Sequence, residues 1–136
     1  MTPREPWVPA PAETLCLDFA NTLYWRGSPR PTEELDGPPA LLRWATAARL
    51  LDPASLATLA AGWEAAPAAA VTGFAEAIAL REAIYALFGE AAEPPAAPLG
   101  ALNEALAAAP RPAGLRRAGE GWAWALPPGP PDAAML

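Results

Sequence analysis

The chain has 136 residues, 53% of them apolar, which is enough for one domain with a single core. Nine Lys+Arg stand against fifteen Asp+Glu, a net charge of -6, so phosphate binding by a broad basic face is excluded. Histidine is absent and Cys16 is the one cysteine, which excludes His-dependent nucleophilic catalysis, an internal disulfide and a zinc finger within these residues.

All nine basic residues are arginine, and Arg116-Arg117 is the one adjacent pair. No carboxylates form a recognisable catalytic pair, so neither an enzyme nor a cofactor is expected. No apolar run reaches the roughly 18 to 20 residues that span a bilayer. The N-terminal "MTPREPWVPAPAE" lacks the apolar core of a signal peptide. A cytoplasmic location follows as the expectation, with which the lone cysteine agrees.

Nineteen prolines punctuate the chain, clustered at 3–11, 29–39, 94–98, 110–112 and 127–131. Proline is excluded from helix interiors, so these clusters read as connectors and the Ala/Leu-rich stretches between them as helices. In "ETLCLDFANTLYWRG" (13–27), a helical period gathers Leu15, Phe19, Leu23, Cys16, Ala20, Tyr24 and Leu17 on one broad side. Asp18, Asn21 and Thr22 fall on the other. "GSPRPTEELDGPP" reads as a loop. "ALLRWATAARLL" then places Leu41, Trp44, Ala45 and Ala48 at helical spacing, and Asp52-Pro53 supplies an N-cap and first position for a helix carrying Leu56, Leu59 and Trp63.

Pro67 opens a long helix expected to run to about Ala92. Its stripe is Phe74, Ile78, Tyr85 and Phe88, widened by Ala77, Leu80, Ile84 and Leu87, with Glu76, Ala83 and Glu90 opposite. A shorter helix carries Leu99, Leu102 and Leu106. In "LRRAGEGWAWAL", Trp122, Trp124 and Leu126 alternate with alanines after a Gly119-Glu120-Gly121 turn, the pattern of a β-hairpin with one aromatic face. The fold class expected is mostly α, about five helices, with one small antiparallel hairpin near 114–126. Residues 1–12 are expected to be a flexible Pro-rich N-terminus, 13–126 a single helical domain and 127–136 a Pro-rich tail.

Arg81 is the odd residue of the long helix, set in the middle of its apolar face. It can snorkel to water, pair with a buried acid or bind an anionic ligand in a pocket. Asp18 is the natural partner from two helical wheels, with Asn21 and Thr22 completing a polar cluster that is either structural or ligand-binding. Among the aromatics, Trp44 and Trp63 lie on core stripes. Trp25 is placed to line a pocket or cap the core, and Tyr85 belongs to the long stripe. Trp122 and Trp124 are expected to pack on helices, or, if exposed, to form an interface.

These segments resemble a known family in order. "LCLDFANTLYWRG" resembles the "LDFVNTL" signature that opens the ABATE domain, the N-terminal part of bacterial CGNR zinc-finger proteins. "ALLRWATAARLLD", "ALREAIYALFGEAA", "LGALNEALAAA" and "GWAWAL" resemble that family's successive helices and its Trp-bearing hairpin, over about Glu13 to Leu126. The family is described as candidate stress-induced transcription regulators. The resemblance implies a multihelical fold followed by a small zinc module with a Cys-Gly-Asn-Arg motif that reads DNA. This sequence carries no such motif and no cysteine pair, so no metal and no direct DNA binding are expected of it. What the resemblance implies is a regulatory or sensory domain that binds a small-molecule effector or forms a homodimer. The alternative is a helical protein-protein interaction domain with no ligand. No membrane partner is expected.

Overall fold

The computed structural model describes residues 13–89, 93, 95–109 and 114–125, the last hairpin partly by its backbone alone. The expectations for 1–12, for Glu90 and for 127–136 fall outside the described residues. Five helices follow in order: α1 (Leu15–Ala20), α2 (Pro38–Ala47), α3 (Pro53–Ala65), α4 (Pro67–Leu87) and α5 (Ala96–Ala108). Two antiparallel two-stranded sheets accompany them. β1 (Leu23–Tyr24) pairs with β2 (Thr32–Glu33), and β3 (Gly114–Ala118) with β4 (Gly121–Ala125). The fold is mostly α with small hairpins.

The helix starts follow the expected chemistry. Proline occupies the first turn of α2, α3 and α4, where its missing donor costs nothing. The Asp52 carboxylate caps α3, accepting from the Ser55 N–H at 2.9 Å and the Ser55 hydroxyl at 2.6 Å. Helix α2 stops at Ala47, earlier than its apolar spacing suggested, because Arg49 turns into the left-handed region (φ +57°) and Leu50 N–H returns to Ala45 O.

Two expectations are corrected. The first helix ends at Ala20, not at Tyr24, and Leu23–Tyr24 form a strand. Thr22 is the cause: its hydroxyl donates to Phe19 O at 2.7 Å and its N–H to the same oxygen at 3.2 Å, a local closure that competes with helix continuation. In α4, Ala83 is buried instead of facing solvent, whereas Tyr85 and Phe88 are exposed. Helix α4 is central and touches α1, α2, α3 and α5, so its buried positions extend beyond the single stripe that a helical wheel finds. It ends at Leu87, with Phe88 as its C-cap.

The core lies where α4 meets its neighbours: Phe19, Leu35, Leu41, Leu59, Trp63 and Ile84 form its main cluster, with Ala45, Leu51 and Leu56 beside it. Burying each of the large members is worth about 1.5 to 3 kcal/mol. Trp44 packs at this cluster with its ring centroid 5.0 Å from that of Phe19. No helix among the described residues is long and apolar enough to cross a membrane.

Candidate functional site: a buried arginine lattice

Arg81 is 2% exposed, the largest fully buried side chain described. Its partner is Glu33. Arg81 Nη1 donates to Glu33 Oε1 at 2.6 Å and Nη2 to Oε2 at 2.7 Å, a bidentate pair. Nε donates to Glu82 Oε1 at 3.0 Å, Nη2 lies 2.9 Å from the same oxygen, and Nη1 donates to the Thr22 hydroxyl at 3.3 Å. A guanidinium has five N–H groups in a fixed fork; four of them donate hydrogen bonds here, and the Nη2 contact with Glu82 is an ion-pair contact alone.

The pairing corrects the expectation for Asp18. Asp18 is exposed and accepts a hydrogen bond from the Thr14 hydroxyl at 3.2 Å. Asn21 is also exposed, its N–H bonded to Leu17 O as α1 ends. Of the four polar residues singled out, the structure brings together Thr22 and Arg81 only. A helix of six residues that stops at Ala20 turns Asp18 outward and leaves the inward place to the segment that follows.

Glu33 is held there by backbone and core. Its strand pairs with β1, Leu23 opposite Glu33. Glu34 N–H donates to Thr22 O at 2.9 Å, and Leu35 N–H to the Glu33 carboxylate at 2.8 Å. Leu35, 2% exposed, anchors the segment in the core. Burial pushes the Glu33 carboxyl up, but the hydrogen bonds from Arg81 and Leu35 and the Arg81 charge hold it below its ordinary value. Burial likewise disfavours charge on Arg81, and the two glutamates more than reverse this.

Arg26, missed in the sequence, extends the lattice. Its Nη1 donates to Glu82 Oε2 at 2.6 Å and Nη2 to Oε1 at 3.2 Å. Nε donates to Leu23 O at 3.0 Å and Nη2 to Ala20 O at 3.1 Å, satisfying a carbonyl at the end of α1. Its guanidinium carbon stands 3.8 Å from the centroid of the Tyr85 ring, a cation–π contact. The Arg26 hydrogen bond is the main reason the Glu82 carboxyl sits below its ordinary value, against burial and with help from Arg81. Glu33, Arg81, Glu82 and Arg26 thus alternate in sign and sum to zero, joining the α1-β1-β2 segment to the middle of α4.

The remaining aromatics divide. Trp63 is buried. Trp25 is 67% exposed at a left-handed backbone (φ +55°), edge-on to Tyr24 at 5.3 Å, so it does not cap the core. Trp122 is 64% exposed with the Arg117 guanidinium 5.0 Å above its ring, and it is not packed into the core. The Trp124 side chain lies outside the described ones. An open groove of about 490 Å³ runs between α2, α3 and α4, lined by Pro38, Leu42, Arg43, Trp63, Pro67 and Val71 among others; neither Asp18 nor Arg81 contributes to it. No group of His, Cys, Asp and Glu among the described residues could hold a metal ion.

Residues 13–136 match the sequence model of the ABATE family, whose description reads "putative stress-induced transcription regulator". No curated protein and no solved structure matches the chain.

Proposed function

The chain belongs to the ABATE family, and we propose that it is the regulatory domain of a transcription regulator, one that responds to an effector or to self-association and does not itself read DNA or catalyse a reaction. The carrying observation is the saturation of Arg81: the family-like opening segment spends Thr22 and Arg26, together with Glu33, on fixing itself to α4. These residues act as architecture, and nothing in the lattice is left over as a nucleophile, a base or a phosphate grip. The net charge of -6 points the same way with respect to nucleic acid.

A second reading, a helical interaction domain without a small ligand, gains from the same saturation together with the exposed Leu115, Trp122, Phe88 and Leu106. A fusion experiment separates the readings. The chain is joined to the DNA-binding part of an unrelated repressor that needs a dimerisation domain, and repression of a reporter is followed with and without heat, osmotic or oxidative stress. Constitutive repression supports self-association. Repression that changes with stress supports an effector. No repression under any condition, from a fusion that is folded and expressed, counts against a regulatory domain.

A further inference from the structure

The β3–β4 hairpin has two edges of different character. β3 carries Arg116 and Arg117, the one adjacent basic pair of an acidic chain, whereas β4 reads Gly-Trp-Ala-Trp-Ala with neither a charge nor a proline. Among the described residues neither strand has a second neighbour, and no helix packs extensively on the hairpin. Leu115 is 58% and Trp122 64% exposed. An isolated two-stranded hairpin is marginal in water. Charges and prolines are what keep open edges from pairing; β3 has that protection and β4 lacks it.

The register fixes what the β4 edge offers. Gly119, at φ +59°, occupies the first central position of the two-residue turn, where a type II′ turn takes glycine. Such a turn makes Ala118 and Gly121 a hydrogen-bonded pair. Bonding then alternates: Arg116 with Ala123 and Gly114 with Ala125 are bonded pairs, and Arg117 with Trp122 and Leu115 with Trp124 are not. The backbone N–H and C=O of Trp122 and Trp124 therefore point away from β3.

We propose that β4 pairs antiparallel with β4 of a second copy of this chain, across a two-fold axis at Ala123, to form a four-stranded sheet. This register sets Trp122 opposite the partner's Trp124, and Trp124 opposite the partner's Trp122. All outward backbone groups of the two tryptophans are then used. A slip of one residue would set Trp122 against an alanine whose groups face its own hairpin. Pairing β3 with β3 would bring the arginine pairs together, and pairing β3 with β4 is head-to-tail and does not close. The chain's own continuation is a poor occupant, since Pro127, Pro128, Pro130 and Pro131 carry no N–H to donate. The pairing deepens the regulatory reading by naming the partner, and it rests on that reading for its role alone.

The test uses the full chain. Sedimentation velocity should show a reversible monomer–dimer equilibrium. Trp124→Pro, which removes an outward donor and no hairpin hydrogen bond, should weaken it about tenfold or more. In a Cys16→Ser background, Ala123→Cys should form a disulfide-linked dimer under mild oxidation, because the two Ala123 positions face each other as a non-bonded pair about 4.5 Å apart at Cα. Arg116→Cys in the same background should not. A monomer at hundreds of micromolar overturns the proposal. So does a dimer indifferent to Trp124→Pro, or equal cross-linking by the two cysteine variants. A monomeric chain that still makes the reporter fusion stress-responsive would sink the pairing and leave the regulatory reading intact.

Discussion

Glu33→Ala is the sharpest perturbation of the lattice. It removes the bidentate pair to Arg81 and the acceptor for Leu35 N–H. Breaking a fully buried ion pair from one side costs about 3 to 5 kcal/mol, since the surviving charge is uncompensated. Here two features lower that figure. Glu82 stays on Arg81, and the Glu33 side chain is 34% exposed, so water can enter the vacated place. We expect a loss of about 2 to 3 kcal/mol. For a chain between the sizes usually tabulated, that is a fall in Tm of about 6 to 15 °C. Arg81→Ala should cost about 3 to 4 kcal/mol, because it also empties a closely packed volume.

Urea unfolding of the four proteins of the double-mutant cycle is the assay. Since the residues touch, the double mutant should lose less than the sum of the singles by about 1.5 to 3 kcal/mol. Asp18→Ala, made in parallel, should stay within about 0.5 kcal/mol of the parent, as an exposed substitution does. A coupling near zero, or an Asp18→Ala loss exceeding that of Glu33→Ala, would refute the pairing.

The acid limb of stability carries the same signature. Glu33 and Glu82 are both held below their ordinary value of 4.5, so the unfolded chain binds their protons more readily. Their contribution is complete above about pH 4.5 and is lost as pH falls through the folded values; Arg81→Met should flatten the fall seen in urea unfolding between pH 5 and 3, and an unchanged slope would count against it. Asp52→Ala should cost about 1 kcal/mol by removing the cap on α3, measured by the same unfolding. The chain alone should give no band shift with sequence preference at physiological salt in the presence of competitor DNA.

The helices α2 to α5 and the last hairpin were legible because proline marks their limits and apolar spacing marks their type. Arg81 was legible as a charge in an apolar stripe. Its partner was not. Glu33 lies 48 residues away in a stretch without periodicity, and helical wheels offer partners only from other helices, hence Asp18. The strands β1 and β2 have two residues each, too few for an alternation to register. One signal was present. Leu35 is the lone large apolar residue of the polar stretch "GSPRPTEELDGPP", and an isolated leucine there marks the point where the loop is pinned to the core, two residues beyond the acid it positions.

The lattice also limits how any effector could act. With Arg81 2% exposed, four of its N–H groups hydrogen-bonded and Nη2 also in ion-pair contact with Glu82, an anion reaches that guanidinium only by displacing Glu33 or Glu82. Displacing Glu33 would free the β2 end of the segment, which is tied to α4 through that carboxylate and to the core through Leu35. Binding would then be opposed by the cost worked out above for Glu33→Ala, roughly 2 to 3 kcal/mol, a loss of about 30- to 150-fold in affinity relative to an open arginine. Pairing through the β4 edge bears no such cost, because among the described residues no third strand occupies that edge and no contact of the arginine lattice has to be displaced. Glu33→Ala should therefore leave the dimer dissociation constant unchanged at temperatures where the variant is folded. A constant that moved with it would mean that the lattice and the hairpin are coupled, and that architecture and interface are not separate in this domain.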